Sequence, residues 1–113
     1  MVHEALVAAE ALEKEGISAR VVNVRIVKPL DLDTICTCAA ETGAAVVCEE
    51  HQIMGGLGGA ICEALALHHP IPVELVGIQD RFGESGKPDD LLKAYNLSAE
   101  DVIAAAHKVM KRK

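Results

Sequence analysis

Aromatic residues are nearly absent from this chain. Phe82 and Tyr95 are the only two, tryptophan is missing, and the aromatic share is 2% of 113 residues. Proteins that hold single-stranded nucleic acid stack bases on aromatic faces, so the side chains for that binding mode are lacking. Basic charge is also short. Eleven Lys and Arg face 17 Asp and Glu, for a net charge of −6 and a pI near 5.3. That balance disfavours DNA and anionic membranes as partners. No apolar run approaches the about 18 residues of a membrane span, and Met1-Val2-His3-Glu4 has neither the basic nor the apolar region of a secretion signal. Cysteine is sparse too. Cys36, Cys38, Cys48 and Cys62 form no C-x-x-C pair, which points to a reduced, cytoplasmic protein rather than a disulfide scaffold.

Aliphatic residues are abundant. Half of the chain is hydrophobic, which excludes intrinsic disorder, and the length suits one domain of about 100–150 residues. Val2 to Glu15 reads as an amphipathic helix in which Val2, Ala5, Leu6, Ala9 and Leu12 recur at helical spacing, with Gly16 as its stop. The β-branched run Ala19 to Val27 reads as a strand ended by Pro29. A second helix is expected from about Asp31 to Thr42, with Leu32, Ile35, Cys36 and Ala39 as its inner stripe and Gly43 at its end. Ala44 to Glu49 is a short continuous apolar run, as in strands buried on both faces of a parallel sheet.

The glycine cluster Gly55 to Gly59 opens a third helix running to about His68. Its apolar residues lie almost all round, which marks a buried helix and predicts a partner domain or subunit over its far side. Val73 to Ile78 reads as a further strand, Gln79 to Lys87 as a polar loop, and Pro88 as the start of a short helix. Ser98-Ala-Glu-Asp101 resembles a capping box at the start of the last helix. Strands alternating with helices predict an α/β fold with a parallel sheet. The first predicted element is a helix with no strand ahead of it, which reads as a C-terminal piece of something larger.

The sharpest local feature is Glu49-Glu50-His51 followed by Gly55-Gly56-Leu57-Gly58-Gly59, at a strand end and a helix start. Ligands of open α/β sheets bind in that crevice, and helix N-terminal amides attract anions. Glu50, His51, Gly55, Gly56 and Gly58 are therefore candidates for anion binding or for an interface. The bland alternative is that the glycines permit a tight turn and close packing, with the polar residues at a rim. The common phosphate motifs fail: Ile61 stands where G-x-G-x-x-G needs its last glycine, and Pro88 follows Gly86-Lys87 where a P-loop needs Ser or Thr. No metal ligand set has zinc spacing, and the cysteines read as small core hydrophobes. Phe82, in a polar loop with Ser85 and Lys87, reads either as part of a solvated connection or as a contact residue.

Four motifs in order resemble the C-terminal domain of transketolase: Val2-His-Glu-Ala-Leu6, Val27-Lys-Pro-Leu30, Glu49-Glu-His51 with Gly55-Gly-Leu-Gly58, and Ser85-Gly-Lys-Pro88 leading to Leu91-Leu92. The resemblance covers essentially the whole chain. It implies a three-layer α/β/α domain with a mostly parallel sheet, spanning residues 1–113 as one unit and lacking its first family strand. It also implies membership of an enzyme that moves a two-carbon ketol unit between sugar phosphates, as in the pentose phosphate pathway. The thiamine diphosphate and divalent metal (Mg) of such an enzyme are expected on its pyrimidine-binding and diphosphate-binding domains. Those domains are the expected partners, in a homo-oligomer, such as a dimer, or a split-subunit complex, and no catalytic, cofactor or metal residue carries over to this chain.

Two relatives share the resemblance, deoxyxylulose phosphate synthase and the beta subunits of oxoacid dehydrogenases. An independent α/β module that binds a small anion is a further alternative. In the family domain an interior strand immediately precedes the segment matching Val2. Its absence here leaves three expectations: a longer polypeptide, a strand supplied by another chain, or a sheet that closes up.

Overall fold

Among the described residues two short strands carry the architecture, and their side-chain alternation sorts the core into two faces. The computed structural model describes residues 1–24, 29–52, 56–78 and 97–113. In chain order its elements are α1 (Val2–Lys14), α2 (Leu32–Thr42), β1 (Ala45–Gln52), α3 (Leu57–His68), β2 (Val73–Ile78) and α4 (Ala99–Lys111). β1 and β2 pair in parallel, with Ala45 opposite Val73, Val47 opposite Leu75 and Cys48 opposite Val76; the register becomes irregular between Cys48 and Gln52.

Successive strand residues point to opposite faces. Val47, Val73 and Leu75 pack with Ile35 and Ala39 of α2 and with Ile61 and Leu65 of α3. Val46, Cys48 and Val76 pack with Ala8 of α1 and with Leu97, Val102 and Ile103 at α4. The result is three layers, with α1 and α4 on one side of a parallel sheet and α2 and α3 on the other. Burying each large aliphatic side chain contributes about 1.5–3 kcal/mol, and Leu65, at 2% exposure, gains most of that.

Three details depart from the periodic reading. In α1 the inward residues are Ala8 and Leu12, while Val2, Leu6 and Val7 are exposed. The helix is turned so that its alanine side packs closely and Glu4 reaches α4. In α2 Ile35 and Ala39 are buried, Cys36 is half-buried and Leu32 is exposed. In the stretch read as the first strand, residues 19–24 carry no strand. Their β-branched residues have the propensity, but a strand exists only through a ladder partner. Val24 instead packs on the α2–α3 core, and Arg20 pairs with Glu41 and approaches Cys38 Sγ at 3.8 Å. The rest of that run, with Val27 and Lys28, lies outside the described residues, as do the 79–87 loop and the helix expected at Pro88.

The helix ends follow local chemistry. Asp31 accepts from Thr34 N and Thr34 Oγ1 at 3.2 and 2.7 Å, capping α2, and Gly43 closes that helix at φ 79°. Only a left-handed residue fits there, hence glycine. α3 buries Gly58, Ile61, Ala64 and Leu65 on one side, but Leu67 at its end is 73% exposed. Among the described residues no helix is long and apolar enough to cross a membrane.

Candidate functional site

The strand-end crevice is built around Glu49. It shares strand parity with Val47, so its side chain faces α3, where it is 9% exposed. The N-cap of α3 is Gly56, which has no side chain to satisfy the first amides. Glu49 does so instead. Leu57 N donates to its Oε2 at 2.7 Å and Gly58 N to its Oε1 at 2.9 Å. A carboxylate on the first turn also matches the positive end of the helix dipole. The arrangement depends on Gly58, because a Cβ there would lie 2.8 Å from Leu75 Cδ2 and 3.4 Å from Glu49 Oε1. Two of the amides that an incoming anion would use are thus already bonded within the chain.

Of the residues singled out from the sequence, Gly56 and Gly58 lie here, at the α3 N-terminus. Glu50 and His51 continue β1, of which the structure describes the backbone at these positions. Gly55, Phe82, Ser85 and Lys87 lie outside the described residues. Glu49 is the functional side chain that reading the polar cluster as one unit passes over. Strand parity with Val47 is the signal that separates it from its neighbours.

Other chemistry is quiet. Burial pushes the Cys48 thiol up to about 11 and raises that of Cys62. Both stay protonated and poorly nucleophilic near neutrality. All four cysteines are free and half-buried. Among the described residues no group of three or more His, Cys, Asp and Glu could hold a metal ion. With Leu57 N and Gly58 N committed to Glu49 and no metal-holding group among the described residues, these residues do not fit a diphosphate and its divalent ion.

A further opening lies on the other edge of β1. A cleft of about 1000 Å³ runs between that edge, the segment 16–24, α1 and α2. Among the described residues β1 pairs with β2 alone.

The family model described as the transketolase C-terminal domain matches residues 1–102. The chain is 45% identical over 113 residues to a 6-deoxy-6-sulfo-D-fructose transketolase subunit of Clostridium sp., covering 100% of this chain and 35% of that protein. It is 42% identical over 103 residues to a 1-deoxy-D-xylulose-5-phosphate synthase of Gloeothece citriformis, covering 90% of this chain and 16% of that one. A solved structure of a split gene transketolase, an inactive beta4 tetramer, superposes with a TM-score of 0.93 at 48% identity, covering 97% of this chain and 36% of that chain. The chain thus spans about a third or less of the length of these relatives.

Proposed function

Because this chain belongs to the transketolase C-terminal domain family, we propose that it is a non-catalytic structural and dimerisation domain of a transketolase that transfers a two-carbon ketol unit between sugar phosphates. The observation that carries the reading is Glu49. The polar group at the strand-end crevice, where an α/β sheet would place chemistry, is engaged in fastening α3 to β1. Thiamine diphosphate and Mg then belong to the pyrimidine-binding and diphosphate-binding domains of the same cytoplasmic enzyme. Glu50, His51, Gly55, Phe82, Ser85 and Lys87 serve as contact residues toward those domains or a second subunit.

The test is reconstitution. This chain is assayed for ketol transfer alone and together with separately expressed pyrimidine-binding and diphosphate-binding sections. The chain alone should show no turnover, and the mixture should form a complex and turn over. Turnover by the chain alone would overturn the reading. The similarity to 1-deoxy-D-xylulose-5-phosphate synthase supports a second reading, the same structural role in that enzyme. Preferential assembly with sections of that synthase would select it. A free-standing anion-binding module is the third alternative. It requires phosphate to shift the amides of Gly58 to Ala60 saturably, against the carboxylate already seated there.

A further inference from the structure

We propose that Arg112 guards the outer edge of β2: its guanidinium occupies the outward carbonyl of Val73 and so keeps a second copy of this chain from adding its own β2 there. The inference concerns the sheet alone and does not depend on the functional reading above.

The register locates the edge. Ala45 stands opposite Val73, and Ala45 N donates to Pro72 O at 3.0 Å. The Pro72 carbonyl therefore faces β1. Peptide groups alternate sides along a strand, so the N–H and C=O of Val73 face away from β1, and those of Leu75 do the same. Among the described residues β2 pairs with β1 alone. Val73 and Leu75 are half-buried, whereas Gly77, next on the same side, is buried. The approachable part of the edge is its first half.

Outward N–H and C=O groups on an edge strand are a template for another strand. This edge is also complementary to itself. A second β2 laid antiparallel, with Val73 opposite the same residue of the other copy, would exchange both bonds of that pair across a two-fold axis. The Val73 carbonyl is the acceptor at the centre of that arrangement.

That acceptor is already taken. Arg112 Nη1 donates to Val73 O at 2.8 Å and to Glu74 Oε1 at 2.7 Å. Glu74 is the anchor. In register with Val46, it turns its side chain to the α4 face, where the side chain is only 15% exposed. Lys108, one helical turn before Arg112, stands 3.5 Å from the other carboxylate oxygen. One face of α4 thus sets two cations on a carboxylate beside the outward carbonyl. An incoming strand has to displace the guanidinium and strip water from it. Charge placed at an edge is a general means of discouraging strand addition. A dimer made by this domain then uses a surface other than the β2 edge.

The test compares the native chain, Arg112→Ala and Lys111→Ala, by sedimentation and by hydrogen exchange at single amides. Lys111 is exposed on the same turn of α4. Its loss makes the same change in net charge and leaves the bond to Val73 in place. Arg112→Ala should dimerise as its concentration rises. Exchange at the Val73 and Leu75 amides should then slow by about tenfold or more between dilute and concentrated protein. The native chain and Lys111→Ala should show neither change. Exchange at Val46 and Cys48, on the far edge of β1, should be the same in all three proteins. Arg112→Met keeps an aliphatic stem over the sheet but removes the donors, so it decides the question if the alanine variant does not fold.

An Arg112→Met protein that stays monomeric, with no change at Val73 and Leu75, overturns the proposal. So does concentration-dependent protection of those amides in the native chain. Equal association of Lys111→Ala would assign the effect to net charge and overturn it as well.

Discussion

The N-termini of α3 and α4 solve one problem in two ways. Each helix must satisfy amides that its own ladder leaves unpaired. At α4 the N-cap is a local capping box: Asp101 Oδ2 accepts from Ser98 N at 3.0 Å and from Ser98 Oγ at 2.6 Å, three residues apart in sequence. Glu4 of α1 adds one bond from Ala99 N at 2.6 Å. At α3 the cap position is a glycine, and the first two amides fall to Glu49, eight and nine residues earlier on β1. A local cap fixes the end of a helix. A remote cap also fixes where the helix sits, so its loss is felt in the sheet as well.

The sharpest way to break this comparison is Glu49→Ala. It removes two charge-assisted bonds at once, each worth about 1.5–3 kcal/mol, from a carboxylate that is 9% exposed. We expect a loss of about 3 kcal/mol in urea unfolding, and a drop in Tm of more than about 10 °C by the usual scaling for a domain of this size. If the change costs no more than Ser98→Ala, the remote cap has no special weight. Second in size is Gly58→Ala. Its Cβ would meet Leu75 Cδ2 at 2.8 Å. The leucine tip can shift, so the overpacking should cost about 1–2 kcal/mol net of the helix propensity gained. Gly59→Ala is the matched control, because nothing lies within 4 Å of a Cβ there. It should stabilise by about 0.5–1 kcal/mol. The two neighbouring glycines are thus predicted to respond with opposite sign.

The same contrast explains which parts of the fold were legible in the sequence. The Ser98 to Asp101 box and the Asp31 and Gly43 ends of α2 could be read because their partners lie within a few residues. The continuous run at Ala44 to Glu49 could be read as a buried parallel strand because both faces are apolar. Glu49 could not be assigned its role, since its partners become its neighbours only once β1 packs on α3. The inward face of α1 is hidden from periodicity for a similar reason. Val2 and Leu6 are more hydrophobic than Ala8, but close packing against Val76 and Val102 favours the small side chain, and Glu4 pulls the helix round. The strand expected over Ala19 to Val27 has the right residues in its described part and no partner, which sequence propensity does not register. Family membership was legible because short motifs recur in a fixed order, and that order survives whatever the local geometry does.

Ser98→Ala comes next in size. It removes the hydroxyl from the α4 cap but leaves Ser98's backbone bond to Asp101 and the Ala99 bond to Glu4 available. The expected loss is about 1 kcal/mol, in the middle of the range for a single N-cap. Paired with Glu4→Ala it should lose more than the sum of the two, because only the Asp101 bond to Ser98 N then remains at that end. Additive losses in a double-mutant cycle would show that the box and the Glu4 bond act independently.

The smallest effect belongs to the other end of α4, where the contacts are mostly exposed. Arg112 Nη1 donates to Glu74 Oε1 at 2.7 Å and to Val73 O at 2.8 Å, and Lys108 stands 3.5 Å from Glu74. The Arg112 hydrogen bond is the main cause holding the Glu74 carboxyl below its ordinary value of 4.5, and the positive charges of Lys108 and Arg112 add to it. A carboxylate depressed in the folded state stabilises above its unfolded value, and that stability fades as pH falls through the folded one. With Arg112 and Lys108 side chains 51% and 72% exposed, solvent screening limits the gain to about 0.5 kcal/mol. Thermal unfolding of the native chain and of Arg112→Ala should therefore differ above about pH 5 and converge as pH falls below the ordinary carboxylate range. The Asp31 carboxyl, also lowered by its bonds to Thr34, is common to both proteins and cancels in the difference. A gap between the two curves that persists undiminished once the carboxylates are protonated would mean that the bond from Arg112 to the Val73 carbonyl, rather than the charge on Glu74, holds the end of α4 to β2.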